Sequence, residues 1–171
     1  TLTDMNLVDN TDHILYALSN NSGISNINGT TSITTDKVAF DVYDYTAGGY
    51  AVPTVNVNTT GTIAGRIEVS ETATLNISGG TFTVEIEEAW CANGFIPKDN
   101  GDGTWTVKVG QYVARIGETG YEDLDDAFAA AQDSDEVKIL VAGTYALNTS
   151  GKNITITGAV DGVVFDNIGA K

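Results

Sequence analysis

The residues with chemistry to offer are few and one-sided. The 171-residue chain carries 23 Asp and Glu against 8 Lys and Arg, one histidine (His13) and one cysteine (Cys91). A zinc site needs several nitrogen or sulfur donors, and His13 with Cys91 cannot supply them. A Cys–His nucleophilic pair requires the two side chains to meet in space, and no motif around either residue supports that. Both are read as packing residues. Distant carboxylates can pair as the acid and base of a glycosidase, but no paired pattern of that kind stands out. No catalytic residue, metal ligand or cofactor is therefore assigned.

Two stretches invite a ligand. Asp99-Asn100-Gly101-Asp102-Gly103 gathers oxygen donors, as a calcium loop does, but lacks the alternation and closing Glu of an EF-hand. A hairpin turn accounts for every residue in it without an ion. The row Asp41, Tyr43, Tyr45, with Tyr50 nearby, sets aromatic rings beside a carboxylate, an arrangement that stacks on sugars and accepts their hydroxyls. These four are the candidate ligand-binding residues; tyrosine as an ordinary strand residue is the competing explanation. The pairs Thr81/Thr83 and Thr155/Thr157 suggest an ice-binding array, but such an array needs several aligned rows, and the pairs are read as strand threonines.

Net charge of −15 repels phosphate backbones, which argues against nucleic acid and suits a soluble, exported protein. Hydrophobic content of 42% supports a packed core. A single cysteine excludes an intrachain disulfide. No apolar run reaches the length of a membrane span. The chain opens at Thr1 without a charged-then-apolar leader and stops at Lys171 after a strand-like segment, which reads as a fragment of a longer protein.

The elements that would position these groups are mostly strands. In Ile67–Ile86 apolar and polar residues alternate, break at Gly79-Gly80, and alternate again: strand, corner, strand. Lys37–Tyr45 places Val38, Phe40 and Val42 on one side, with Ala39, Asp41, Tyr43 and Tyr45 on the other. Thr54–Asn58 matches Thr74–Ser78 position by position, and a short unit that recurs suggests a solenoid. Many short strands between turns also fit an antiparallel β-sandwich. Phe95–Val109 reads as a hairpin around its Gly-rich turn. The one helix expected is Asp123–Gln132, with an apolar stripe of Leu124, Ala127, Phe128 and Ala131 and acidic residues at its N-terminal end.

The stretch YEDLDDAFAAAQDSDEVKILVAGTYALNTSGKNITITG resembles the opening of right-handed parallel β-helix proteins of the pectate-lyase-like superfamily. The likeness rests on the rhythm of Leu124, Ala127 and Ala131, then Gly143-Thr144-Tyr145 and Ile154–Gly158. LNISGGTF resembles a coil repeated in large surface proteins of gut bacteria, and WCANGFIPKDNGDGTWTVKVG the spacer that follows their last coil. The resemblance implies a mostly β fold: parallel β-helix coils over residues 1–86, a spacer hairpin over 87–117, and a capping helix with the first coils of a second β-helix over 118–171. Arg66 and Arg115 map onto no lyase motif, which argues against an enzyme, because a fold alone does not supply activity. The expected function is a non-catalytic spacer or adhesin on a bacterial cell surface, contacting a glycan or host protein without membrane insertion. The rivals are a polysaccharide-degrading enzyme or its accessory module, and a phage fibre or decoration protein.

Overall fold

A computed structural model describes residues 1–9, 15–149 and 151–166. The chain divides into two compact units, Thr1–Val109 and Gly110–Lys171.

The first unit is built from β1 (Leu2–Thr3), β2 (Asn6–Val8), β3 (Tyr16–Asn20), β4 (Ile24–Gly29), β5 (Ser32–Val42), β6 (Thr54–Thr59), β7 (Thr62–Val69), β8 (Thr74–Ile77), β9 (Thr81–Phe82), β10 (Phe95–Asp99) and β11 (Trp105–Val109). One sheet runs β1-β4-β6-β8. The other runs β10-β11-β9-β7-β5-β2, with β3 also on β5. Period-two alternation turns Ile27, Val55, Val57, Leu75 and Ile77 of the first sheet toward Ile33, Phe40, Val42, Ile63 and Phe82 of the second, and all ten fall in one buried cluster. Burying a side chain of this size contributes roughly 1.5–3 kcal/mol. Ala39 is buried as well as Val38 and Phe40, so strict alternation fails there. The pairing register of β5 on β7 shifts between Thr34 and Phe40, and such an irregularity turns successive residues to the same side.

These sheets do not form the expected parallel β-helix. The chain folds into several short sheets of mixed strand direction rather than a stack of like coils. β10 and β11 pair antiparallel, and β11 joins β9 antiparallel through Trp105 opposite Phe82. The cross-strand side-chain pairs Asn6–Ser32, Asn26–Asn56 and Asn56–Asn76 span 26, 30 and 20 residues, so no fixed repeat defines a solenoid. Two sheets enclosing one core fit the sandwich-like alternative better, although β1, β4, β6 and β8 pair in parallel in one sheet and β2, β3, β5, β7 and β9 in the other. The expected hairpin forms and belongs to this first unit, where Trp90, Trp105 and Val107 pack on the core.

The second unit holds β12 (Ala114–Ile116), β13 (Thr119–Tyr121), α1 (Leu124–Ala130), β14 (Glu136–Ile139), β15 (Gly143–Ala146), β16 (Thr155–Gly158) and β17 (Val163–Asp166). Its main sheet, β13-β12-β14-β16, is again mixed: β12 meets β13 and β14 antiparallel, while β14 and β16 run parallel. The stripe Leu124, Ala127, Phe128 and Ala131 is buried against Ala114, Val137 and Ile139. Asp123 caps the helix, its carboxylate accepting from the Asp125 amide at 2.7 Å. At the other end the Lys152 ammonium donates to the Phe128 and Ala129 carbonyls at 2.8 and 2.7 Å. The helix thus covers the core of a small mixed-sheet unit, and its expected role as the cap of a second β-helix does not stand.

Candidate functional site

Asp41 and the three tyrosines lie where β5 ends. Asp41 is still on the strand, in register with Ser19 of β3 and Glu68 of β7. The Ser19 hydroxyl donates to its carboxylate at 2.7 Å. Tyr43 lies past the strand, its amide bonding the Asn20 carbonyl at 3.1 Å. The row expected on one strand face is therefore a strand residue followed by a loop.

Asp44 holds that loop. Its amide donates to the Ser70 hydroxyl at 3.1 Å, and its carboxylate accepts from the Thr46 amide at 2.7 Å and from the Thr72 hydroxyl. The Thr72 hydrogen bond first, and then those from Thr46, hold the Asp44 carboxyl below its ordinary value of 3.8. The chain then makes a 3-10 turn over Thr46–Gly48, closed by Gly49 at φ 84°. Gly48 lies against the Tyr45 ring: a Cβ there would sit 2.7 Å from Tyr45 Cε1 and 3.1 Å from Tyr50 Cδ2.

The result is a row of rings in partial contact. The centroids of Tyr43 and Tyr45 are 6.4 Å apart at 40°, and those of Tyr45 and Tyr50 are 5.7 Å apart at 35°. Each of the three is more than half exposed: 51% for Tyr43 and Tyr45, 56% for Tyr50. Exposed phenol rings present apolar faces with a polar tip, which suits a ligand with apolar CH patches and many hydroxyls. Arg66, on β7, faces Glu68 at 3.5 Å.

The remaining candidates resolve into structural contacts. In the hairpin turn, Asp99 accepts from the Gly101 amide at 2.8 Å. Asp102 accepts from the amide and hydroxyl of Thr104 at 3.0 and 2.6 Å. Those two contacts lower the Asp102 carboxyl, as turn bonding does without an ion. Among the described residues no group of three or more His, Cys, Asp or Glu is placed to hold a metal. Cys91 is half-buried and desolvation pushes its thiol up to about 11, which leaves little thiolate at neutral pH. His13 lies outside the described residues. Thr83 accepts from the Gly65 amide and Thr157 donates to Glu136, so each serves its own neighbourhood. No helix among the described residues is long and apolar enough to cross a membrane.

Two features were not singled out from the sequence. Asn26, Asn56 and Asn76 form a side-chain amide ladder along β4, β6 and β8. The match between Thr54–Asn58 and Thr74–Ser78 contained that signal, because identical polar residues at matching positions stack when their strands pair in register. The second is a shallow cleft of about 270 Å³ between the start of α1 and β15, lined by Val113, Glu122, Leu124, Thr144 and Tyr145. Its lining residues lie far apart in sequence, and no local pattern marks it. No family model, curated protein or solved structure matches this chain.

Proposed function

We propose that the chain is a non-catalytic, β-rich segment of an exported bacterial surface protein, and that it presents the Tyr43–Tyr45–Tyr50 turn for contact with glycans. The observation that carries this reading is the exposure of three neighbouring rings on a turn held by Asp44, Ser70 and Thr72. Three tyrosines left half in solvent bury little of their own surface, and large aromatic groups ordinarily gain stability by burial. Fixing them on a braced turn lowers the ordering cost of stacking on a ligand. Asp41, on the strand leading into the turn, and Asp44, within it, add acceptors for hydroxyl donors.

The test is a glycan panel probed with the wild-type chain and with Tyr45→Ala and Tyr50→Ala, each checked for native fold. Binding without release of reducing ends or unsaturated products is expected. Loss of one stacking ring should weaken it by about five- to tenfold. Turnover of any polysaccharide would overturn the non-catalytic part. Wild-type affinity in both variants would remove the tyrosine turn as the site.

A further inference from the structure

Resting on the glycan reading of the tyrosine turn, we infer that the site takes uncharged pyranose chains and rejects chains bearing carboxylate or sulfate groups. The reason is the disposition of charge around the rings. Asp44 stands between Tyr43 and Tyr45 in the chain, and Asp41 comes two residues before Tyr43, on the strand that leads into the turn. In the ladder Asp41 is the register partner of Glu68. Asp41 and Glu68 thus lie side by side on adjoining strands and Asp44 lies in the turn itself, while the guanidinium of Arg66 is engaged with Glu68 at 3.5 Å.

Both aspartates already bond hydroxyl donors: Asp41 accepts from Ser19 at 2.7 Å, and Asp44 accepts from Thr72. An ionised carboxylate has about four lone-pair positions, so each retains capacity for a sugar hydroxyl. A uronate or sulfate laid across the rings would bring an anion toward this carboxylate-rich stretch, where Arg66 is already paired with Glu68. Neighbouring like charges near a surface cost about tenfold in affinity, and the cost falls as salt is added.

The experiment uses short gluco-, galacto- and manno-oligosaccharides, each paired with its counterpart oxidised to the uronate at C6. Ring resonances of Tyr45 and Tyr50 report binding at low and high salt. The neutral member of at least one pair should shift both rings, its oxidised partner should bind about tenfold more weakly, and added salt should narrow the gap. Asp41→Asn and Glu68→Gln should narrow it too. Glu118→Gln with Asp126→Asn, the same change in charge made outside the unit that carries the turn, should not. Equal or tighter binding of an oxidised chain overturns the charge selectivity while leaving the glycan site standing. An equal narrowing by the Glu118/Asp126 pair also overturns it, because overall charge would then be the cause. If no member of any pair shifts either ring, the glycan reading falls, and the inference with it.

Discussion

The side-chain amide of Asn76 donates to Oδ1 of Asn56 at 3.0 Å, and Asn56 donates in turn to Asn26 at 2.8 Å. Asn56 is thus the one member of this trio that both gives and receives. Parallel pairing in register makes the arrangement possible: Asn56 lies opposite Asn26 on one side and Asn76 on the other. Net hydrogen bonds of this kind contribute about 0.5–1.5 kcal/mol each. Asn56→Ala should therefore cost about 1–3 kcal/mol in urea denaturation, and Asn26→Ala and Asn76→Ala about half as much. Equal losses in all three variants would show that the ladder does not act as a connected chain.

Phe40 is fully buried in the first unit, whereas Val109 at the end of β11 is 79% exposed. Truncating a buried Phe removes its transfer free energy and leaves a cavity. Phe40→Ala should lower stability by about 3–5 kcal/mol. Val109→Ala should stay within about 0.5 kcal/mol. Thermal or urea unfolding of the two variants side by side measures the contrast.

What could be read from the sequence was mainly direction of facing. Val55, Val57, Leu75, Ile77 and Phe82 were all assignable to a core by alternation, and so was the helix stripe from Leu124 to Ala131, because side-chain periodicity is a local property of strand and helix. Which way the next strand runs is not local. Thr54–Val57 and Thr74–Ile77 pair in parallel, yet Phe82 meets Trp105 antiparallel. Nothing in the alternation of either strand distinguishes the two, and a repeat such as Thr54–Asn58 with Thr74–Ser78 suggests a β-helix without fixing how the strands beyond it pair. The tyrosines were legible as a group and misplaced by one step. Alternation alone extends them along β5, but the hydrogen bond Asp44 gives to Ser70 and those its carboxylate accepts from Thr46 and Thr72 hold the chain in a turn after Val42, and those partners are up to 28 residues away.

Gly48 links that turn to the rings. Its φ does not demand glycine; the space does, because a methyl group would lie 2.7 Å from the Tyr45 ring. Gly48→Ala should displace the ring while the core, which contains no residue of the turn, stays intact. Tyr45 and Tyr50 ring resonances should move, the unfolding midpoint should change by less than about 1 kcal/mol equivalent, and any glycan affinity should fall. Unmoved rings would mean that the turn can yield elsewhere.

Lys152 is the fastening of α1. Its ammonium bonds two carbonyls at the helix C-terminus, where a cation also meets the favourable end of the helix dipole. Lys152→Met keeps much of the apolar stem and removes both donors. The helix should lose about 1–2 kcal/mol of protection. Hydrogen exchange of the α1 amides should accelerate accordingly, while amides of β4, β6 and β8 in the other unit keep their rates. Uniform acceleration across both units would contradict a local role.

Acid should open the tyrosine turn through Asp44. Its carboxyl is held below the ordinary value of 3.8, so the folded state binds its proton less readily than the unfolded chain does. The sign follows from linkage: the contribution of Asp44 is fully present above 3.8 and is lost as pH falls through the lower folded value. Asp102, lowered by Thr104, titrates in the same direction at the hairpin turn. An amide titration between neutral pH and pH 2 separates the two, because the Thr46 resonance reports Asp44 and the Thr104 resonance reports Asp102. Asp44→Asn should abolish the acid-induced shift at Thr46 and leave that at Thr104 untouched. Tyr45 should follow Thr46, since the same turn carries both. If Thr46 and Tyr45 still shift together in the Asn variant, the turn is opened by general acid expansion of the chain, and Asp44 is not what holds it.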